Sequence, residues 1–275
     1  MNLGIIGTGN MGKILIEAFV KSSAVNEENL YIMNRTKEKA EQIKNEYPKI
    51  NVVDCPEEIV KNTDYIFLCI KPLDIYPLVK GIASLLNDEQ CIVSITSPIS
   101  VEQLESIVPC PVVRVIPSIN NRVLCGTSLL SFGENCPVNH QVFIEQIMTK
   151  VSTPVTIDEN ITRVASDITS CGPAFFAYLL RKFIDAAVEE TDISREKATL
   201  LASKMIIGLG QLIDQEVYTL ETMQEKVSVK GGITGEGIKA LEDNIGEMFN
   251  HLFQQTHAKF QHEKEKVNEQ FCIKD

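Results

Sequence analysis

The sequence predicts an α/β protein, with a doubly wound parallel sheet followed by an all-helical domain. Three observations predict it. In the first half, short apolar runs alternate with polar amphipathic stretches, the order expected of strand–helix units. Those runs are near-continuous rather than alternating, as in strands covered on both faces. After about residue 160 strand signals thin out and helical periodicity takes over.

The elements follow in order. Six β-rich runs come first, at residues 3–6, 30–33, 51–53, 65–70, 91–95 and 112–116. Residues 11–21, 36–46, 56–61, 76–86 and 101–107 suit helices or helical turns between them. Two further strands are expected at 128–132 and 155–157. Helices are then expected at 175–190, 195–215 and 238–260. Ser194 precedes Arg195-Glu196-Lys197 as an N-cap, and Glu196 favours the helix dipole. Leu200, Leu201, Met205, Ile206, Leu209, Leu212 and Ile213 make a longer apolar face than one small bundle needs, which points to self-association. From about His262 the chain is polar and is expected to fray.

Composition removes several function classes. Among 275 residues, 37 acidic side chains stand against 26 basic ones, a net charge of −11 that disfavours nucleic-acid and anionic-membrane partners. The apolar run at the start has no basic region before it and breaks at Gly7, too soon for a signal peptide or a span. The eight cysteines are scattered with no C-x-x-C pair, and none of the four His has a Cys at metal-ligand spacing. The expectation is a reduced, cytoplasmic chain with no metal site.

Gly7-Thr8-Gly9-Asn10-Met11-Gly12 is a G-x-G-x-x-G that follows a strand and opens a helical pattern, the Rossmann-type dinucleotide fingerprint. Gly7 permits the tight turn and Gly9 lets the backbone approach a pyrophosphate. Gly12 lets helix and strand pack closely, while the helix N-terminus favours negative charge. A glycine-rich turn with no ligand is the alternative. At the end of the second strand an NAD site offers Asp or Glu to the ribose. Here Asn34-Arg35-Thr36-Lys37 has no carboxylate, and Arg35 can meet a 2′-phosphate. NADP(H) is therefore expected over NAD, the alternative being that Arg35 and Lys37 are a solvated helix start.

These residues belong to a larger pattern. The chain resembles pyrroline-5-carboxylate reductase over nearly its whole length. The resemblance rests on Ile6 to Gly12, Asn34-Arg35, Lys71-Pro72, Arg114-Val115-Ile116-Pro117, Gly172-Pro173-Ala174-Phe175 and Gly231-Gly232-Ile233-Thr234, in that order. Within the family, Lys71-Pro72-Leu73-Asp74-Ile75-Tyr76-Pro77 and Arg163-Val164-Ala165-Ser166-Asp167 are similar to its late-competence branch. The resemblance implies an NADP(H)-binding Rossmann domain over residues 1–160 and a helical dimerisation and substrate-pocket domain over 161–275. It implies homodimers, in some members assembled into rings, and NADPH- or NADH-dependent reduction of a cyclic imine to proline. The glycine loop, Asn34, Arg35, Thr36, Lys71, Pro72, Thr96 and Ser97 would border the cofactor. Lys71-Pro72 alone could equally be a turn after a buried strand.

Hydride transfer to a C=N carbon needs a positioned nicotinamide, and a substrate nitrogen that enters protonated needs no strong acid. Gly231-Gly232-Ile233-Thr234 would offer the substrate carboxylate backbone N–H groups at a helix start, with Lys230 adding charge. By resemblance, the Thr234 hydroxyl lies near the substrate nitrogen. Its plain alternative is as a helix N-cap. Glu159 falls at an acidic position of the family's pocket, although an acid in this chain is more often surface. Departures gather here. The family's Ser-Pro-Gly-Gly-Thr-Thr is Val229-Lys230-Gly231-Gly232-Ile233-Thr234, its Ala-Ala-Gly is Thr96-Ser97-Pro98, and an Asn at the adenosine end is Pro56. Changed polar groups on a kept scaffold fit weak activity on pyrroline-5-carboxylate. They also fit a non-catalytic late-competence-type regulator that retains nucleotide binding, or a reductase of another imine or keto acid.

Overall fold

In the computed structural model, residues 1–229 and 231–272 are described. Eight strands form one sheet: β1 (Leu3–Ile6), β2 (Leu30–Met33), β3 (Asn51–Val52), β4 (Tyr65–Leu68), β5 (Cys91–Ser94), β6 (Val112–Ile116), β7 (Thr127–Phe132) and β8 (Thr153–Thr156). Their order is β3-β2-β1-β4-β5-β6-β7-β8, so the chain reverses its direction of travel between β1 and β4. β1 to β6 are parallel, β7 is antiparallel to β6, and β8 is parallel to β7.

Both faces are covered, which explains the continuous apolar runs. On one face Ile5, Ile32, Phe67 and Val93 pack against α1 (Asn10–Lys21), α2 (Lys37–Glu46) and a helix at Val138–Thr149. On the other, Ile6, Ile66, Leu68 and Ile92 pack against α3 (Pro56–Asn62), α4 (Pro72–Ile82) and α5 (Val101–Glu105). The Val138–Thr149 helix, α6, is not foreseen from sequence. Its buried His140, Ile144, Ile147 and Met148 keep helical spacing, but exposed Val138 and Val142 blur that face. α4 begins at Pro72 rather than near residue 76, because Pro72 occupies the first turn, where no N–H is needed.

The rest is helical. α7 (Thr162–Ser166) runs through a π turn at Asp167–Cys171 into α8 (Gly172–Glu190). α9 (Arg195–Asp214), α10 (Leu220–Val227), α11 (Ile233–Ile245) and α12 (Met248–Phe271) follow. Ser194 caps α9 as expected, its side chain accepting from Lys197 N at 3.2 Å. The single helix expected at 238–260 is two, broken at Gly246, where φ is +44°.

By contacts, Met1–Pro173 and Gln255–Asp275 form one unit, and Ala174–Gln254 a second. The last turns of α12 do not fray among the described residues. Val267 is fully buried against the β4–β5 face of the sheet, and Asn268 accepts from Gln103 Nε2 at 2.8 Å. Only tertiary packing could reveal this, since Val267 and Phe271 are isolated apolar residues in a polar stretch. Among its described residues, the helical unit buries three apolar side chains, Ile184, Ala198 and Ala202, while Phe183, Leu200, Leu201 and Met205 are exposed on the single chain.

Candidate functional site

Parallel pairing brings the carboxyl ends of β1, β2, β4 and β5 to one edge, and the reversal between β1 and β4 opens a crevice there. The glycine loop crosses this edge. Gly7 has φ +104°, and a Cβ on it would collide with the Cys69 carbonyl, so no side chain fits. A Cβ on Gly12 would strike the Gly7 carbonyl, which is the close helix–strand packing the fingerprint requires. Gly9 is different: a Cβ there would meet nothing within 4 Å of the protein itself. Open space on that side fits a backbone that a pyrophosphate could approach.

The loop is tied to β2 through Asn34. Thr8 N donates to Asn34 Oδ1 at 3.0 Å, and Asn34 Nδ2 donates to the Thr36 carbonyl at 3.0 Å. Gly9 caps α1 without a side-chain hydrogen bond, and the first turn has no acid. The N–H groups there remain available to an anion. Thr8 Oγ1 is buried and has no hydrogen-bond partner among the described residues. Such an orphan in a phosphate-type loop fits a ligand acceptor. These features fit a bound dinucleotide.

The cleft beside this loop has a volume of about 600 Å³, within the range of cofactor sites. Ile6, Gly7, Gly9, Asn10 and Met11 line it from the loop side, and Asn34, Arg35, Thr36 and Lys39 from the β2 end. Lys71 and Asp74 line it from α4, with Ile95 beyond β5. Of the sequence-predicted cofactor residues, Thr8, Gly12, Pro72, Thr96 and Ser97 are not in this lining. Thr96 N instead donates to Ser94 Oγ at 3.4 Å, and the Ser97 carbonyl accepts from Arg114 Nη1 at 3.5 Å. Cys69 sits in the cleft wall, and burial pushes its thiol up to about 12, which leaves it inert at neutral pH.

The basic residues at the lip divide. Lys37 pairs with Asp54, whose hydrogen bond and charge raise the Lys37 pKa. It therefore does not line the cleft, whereas Lys39, in the first turn of α2, does. Lys39 is not among the residues expected from sequence, because Arg35 precedes the Thr36 cap of α2 and no helical spacing links the two. Among the described residues Arg35 has no ion-pair partner and is exposed.

Elsewhere in the sheet unit Arg114 is 1% exposed, and its side chain reaches Glu159 at 2.7 Å and Thr162 Oγ1 at 2.7 Å. Glu159 thus neutralises a buried guanidinium and does not border the cleft. Burial raises the Cys171 thiol, with nearby Arg163 pulling it down by less. In the helical unit, α11 is capped by Gly232, not by Thr234, and no side chain bonds the cap. Thr234 lies in the first turn, exposed, so plain capping does not explain its hydroxyl. Gly231 has φ +74°, and Ile233 is 93% exposed. Lys230 lies outside the described residues. Among the described residues no group of His, Cys, Asp and Glu side chains could hold a metal, and no helix is long and apolar enough to cross a membrane.

Comparison with known proteins completes the picture. Residues 159–263 match the pyrroline-5-carboxylate reductase dimerisation family. Residues 2–98 match a family described as NADP oxidoreductase, coenzyme F420-dependent. ComE operon protein 4 of Bacillus subtilis (strain 168) is 52% identical over 273 residues, covering 99% of this chain and 100% of the relative. Pyrroline-5-carboxylate reductase 3 of the same organism is 27% identical, covering 98% of each. Among solved structures, a pyrroline-5-carboxylate reductase from Coxiella burnetii has a TM-score of 0.84 at 19% identity, covering 97% of this chain and 98% of that one. Pyrroline carboxylate reductase of Plasmodium falciparum, with NADP bound, gives 0.81 at 22%, covering 98% of each. A Rossmann-type sheet followed by the helices of that dimerisation family, with this likeness along its whole length, makes the chain a member of the pyrroline-5-carboxylate reductase family, in the branch of ComE operon protein 4.

Proposed function

We propose that this protein is a cytoplasmic, homodimeric reductase that uses NADPH to convert 1-pyrroline-5-carboxylate to L-proline. The observation that carries the reading is the cleft itself. An uncapped helix start, an orphan Thr8 hydroxyl and two cations, Arg35 and Lys39, line or adjoin one space beside a glycine loop. The absence of a carboxylate on the β2 side of that lining supports NADPH over NADH. Residues 1–160 would hold the cofactor, and 161–275 would form the dimer and the substrate pocket.

When bound, NADPH supplies a hydride to the imine carbon. In this reading the chain does the rest. The α1 N-terminus and Thr8 take the pyrophosphate, Arg35 and Lys39 the 2′-phosphate, and Lys71 lies along the cofactor. Gly231 and Ile233 present N–H groups to the substrate carboxylate at the start of α11, the Gly232 N–H already donating to the Val229 carbonyl, with Lys230 adjacent in sequence. The Thr234 hydroxyl orients the ring nitrogen, which enters protonated, so the hydride completes the amine without a general acid. Glu159 pairs with Arg114, whose guanidinium also donates to the Ser97 and Ile99 carbonyls after β5. NADPH should be consumed on mixing the protein with pyrroline-5-carboxylate, and Thr234→Ala should lower kcat/KM by roughly tenfold to a hundredfold. No turnover at any pH from acid to alkaline would overturn the assignment.

A second reading is favoured by two observations. The relative at 52% identity carries an operon name rather than a reductase name, and the anion loop presents exposed, apolar Val229 and Ile233. A regulator that binds NADP(H) without turning over pyrroline-5-carboxylate would behave this way. Tight NADPH binding with no catalysis in the same assay selects it.

A further inference from the structure

The end of α12 lies against α4, the helix that forms one wall of the cleft. α4 carries a defect. Pro77 stands inside it without an N–H, so the Leu73 carbonyl, four residues earlier, has no helical donor. Gln270 Nε2, from α12, donates to that carbonyl at 3.1 Å. On the same side Phe271 meets Tyr76 edge-on, with ring centroids 4.8 Å apart and planes at 70°.

The segment that delivers these groups is itself anchored. Val267 is fully buried in the apolar cluster that holds Ile75 and Val79 of α4. Asn268 accepts from Gln103, whose other amide atom accepts from Ser100 N at 2.9 Å in the capping box of α5. Earlier in α12, Thr256 donates to the buried carboxylate of Asp167 at 2.7 Å. The faces of α4 are therefore divided. Ile75, Val79 and Ile82 enter the core, Asp74, Pro77 and Leu78 line the cleft, and Leu73 and Tyr76 are engaged by α12.

We propose that residues 267–271 are a positioning segment for the cofactor. Gln270 replaces the donor that Pro77 deletes, and Phe271 braces Tyr76, so α4 presents its cleft face at one fixed pitch. Dinucleotide affinity then depends on a C-terminal segment that does not touch the dinucleotide. The proposal rests on the nicotinamide-dinucleotide reading above.

The test is an NADPH titration of the full chain by nicotinamide fluorescence, with hydrogen exchange of the ligand-free protein over α4. Gln270→Ala with Phe271→Ala should raise the NADPH Kd by roughly threefold to tenfold and speed exchange of α4 amides. Phe271→Tyr keeps the ring and should bind like the parent. In a Pro77→Ala background the backbone donor returns, and Gln270→Ala should then change little. That coupling is one a general loss of stability would not produce, and the single Gln270→Ala variant carries it should the double variant unfold. An unchanged Kd with unchanged α4 exchange overturns the proposal alone, as does an equal effect of Gln270→Ala with and without Pro77. A parent chain that binds neither NADPH nor NADH overturns the cofactor reading and this proposal with it.

Discussion

Arg35, Lys37 and Lys39 show how one carboxylate redistributes function among neighbouring cations. Asp54 takes Lys37 at the surface and leaves Arg35 and Lys39 along the cleft. Arg35→Ala should therefore weaken NADPH binding by about tenfold or more while leaving NADH nearly unaffected, and Lys37→Ala should alter neither. Paired NADPH and NADH titrations check this, and equal losses for both cofactors would deny Arg35 a 2′-phosphate role. Arg35 is legible in the sequence because its place follows from the fingerprint spacing. Lys39 and the diversion of Lys37 are not, because Asp54 comes from beyond β3, and only folding brings it alongside.

Elements differ in how much of their placement is local. α1 and β1 are fixed by a motif and a continuous apolar run. α6 is fixed by what it packs on: His140 Nδ1 and Tyr65 Oη lie 3.0 Å apart, and Phe143 stacks on Tyr65 at 4.2 Å. Burial holds the His140 pKa below its ordinary 6.5. The unfolded chain then takes the proton first, so this contribution is present above pH about 6.5 and is lost as pH falls below it. Urea midpoints should drop between pH 7 and pH 5, and the drop should be smaller in His140→Gln. A slope identical in both proteins would place the acid sensitivity elsewhere. α12 makes the same point: its last turns look soluble and frayed in sequence, yet they hold Val267 and Asn268 inside.

For the whole molecule, the two units have unequal means of support. The sheet unit has an extended core on both faces, whereas among the described residues the helical unit buries three apolar side chains and exposes Phe183, Leu201 and Met205 on one chain. A helical unit so poor in core is expected to complete itself against a second copy. Leu201→Glu should shift the protein toward monomer in sedimentation and lower its Tm, with dinucleotide binding by the sheet unit retained. A dimer indifferent to that change would put the interface elsewhere.

The sequence by itself determined the strand series, the glycine loop, the helical second half and the family. Each of these is local: a run of apolar residues, a fixed spacing of glycines, a 3.6-residue period. Tertiary structure alone decided which cation faces the cleft, that Glu159 pairs with Arg114, and that Gln270 supplies the hydrogen bond Pro77 lacks. Those partners lie tens to nearly two hundred residues apart along the chain, and no local periodicity records a hydrogen bond across that distance.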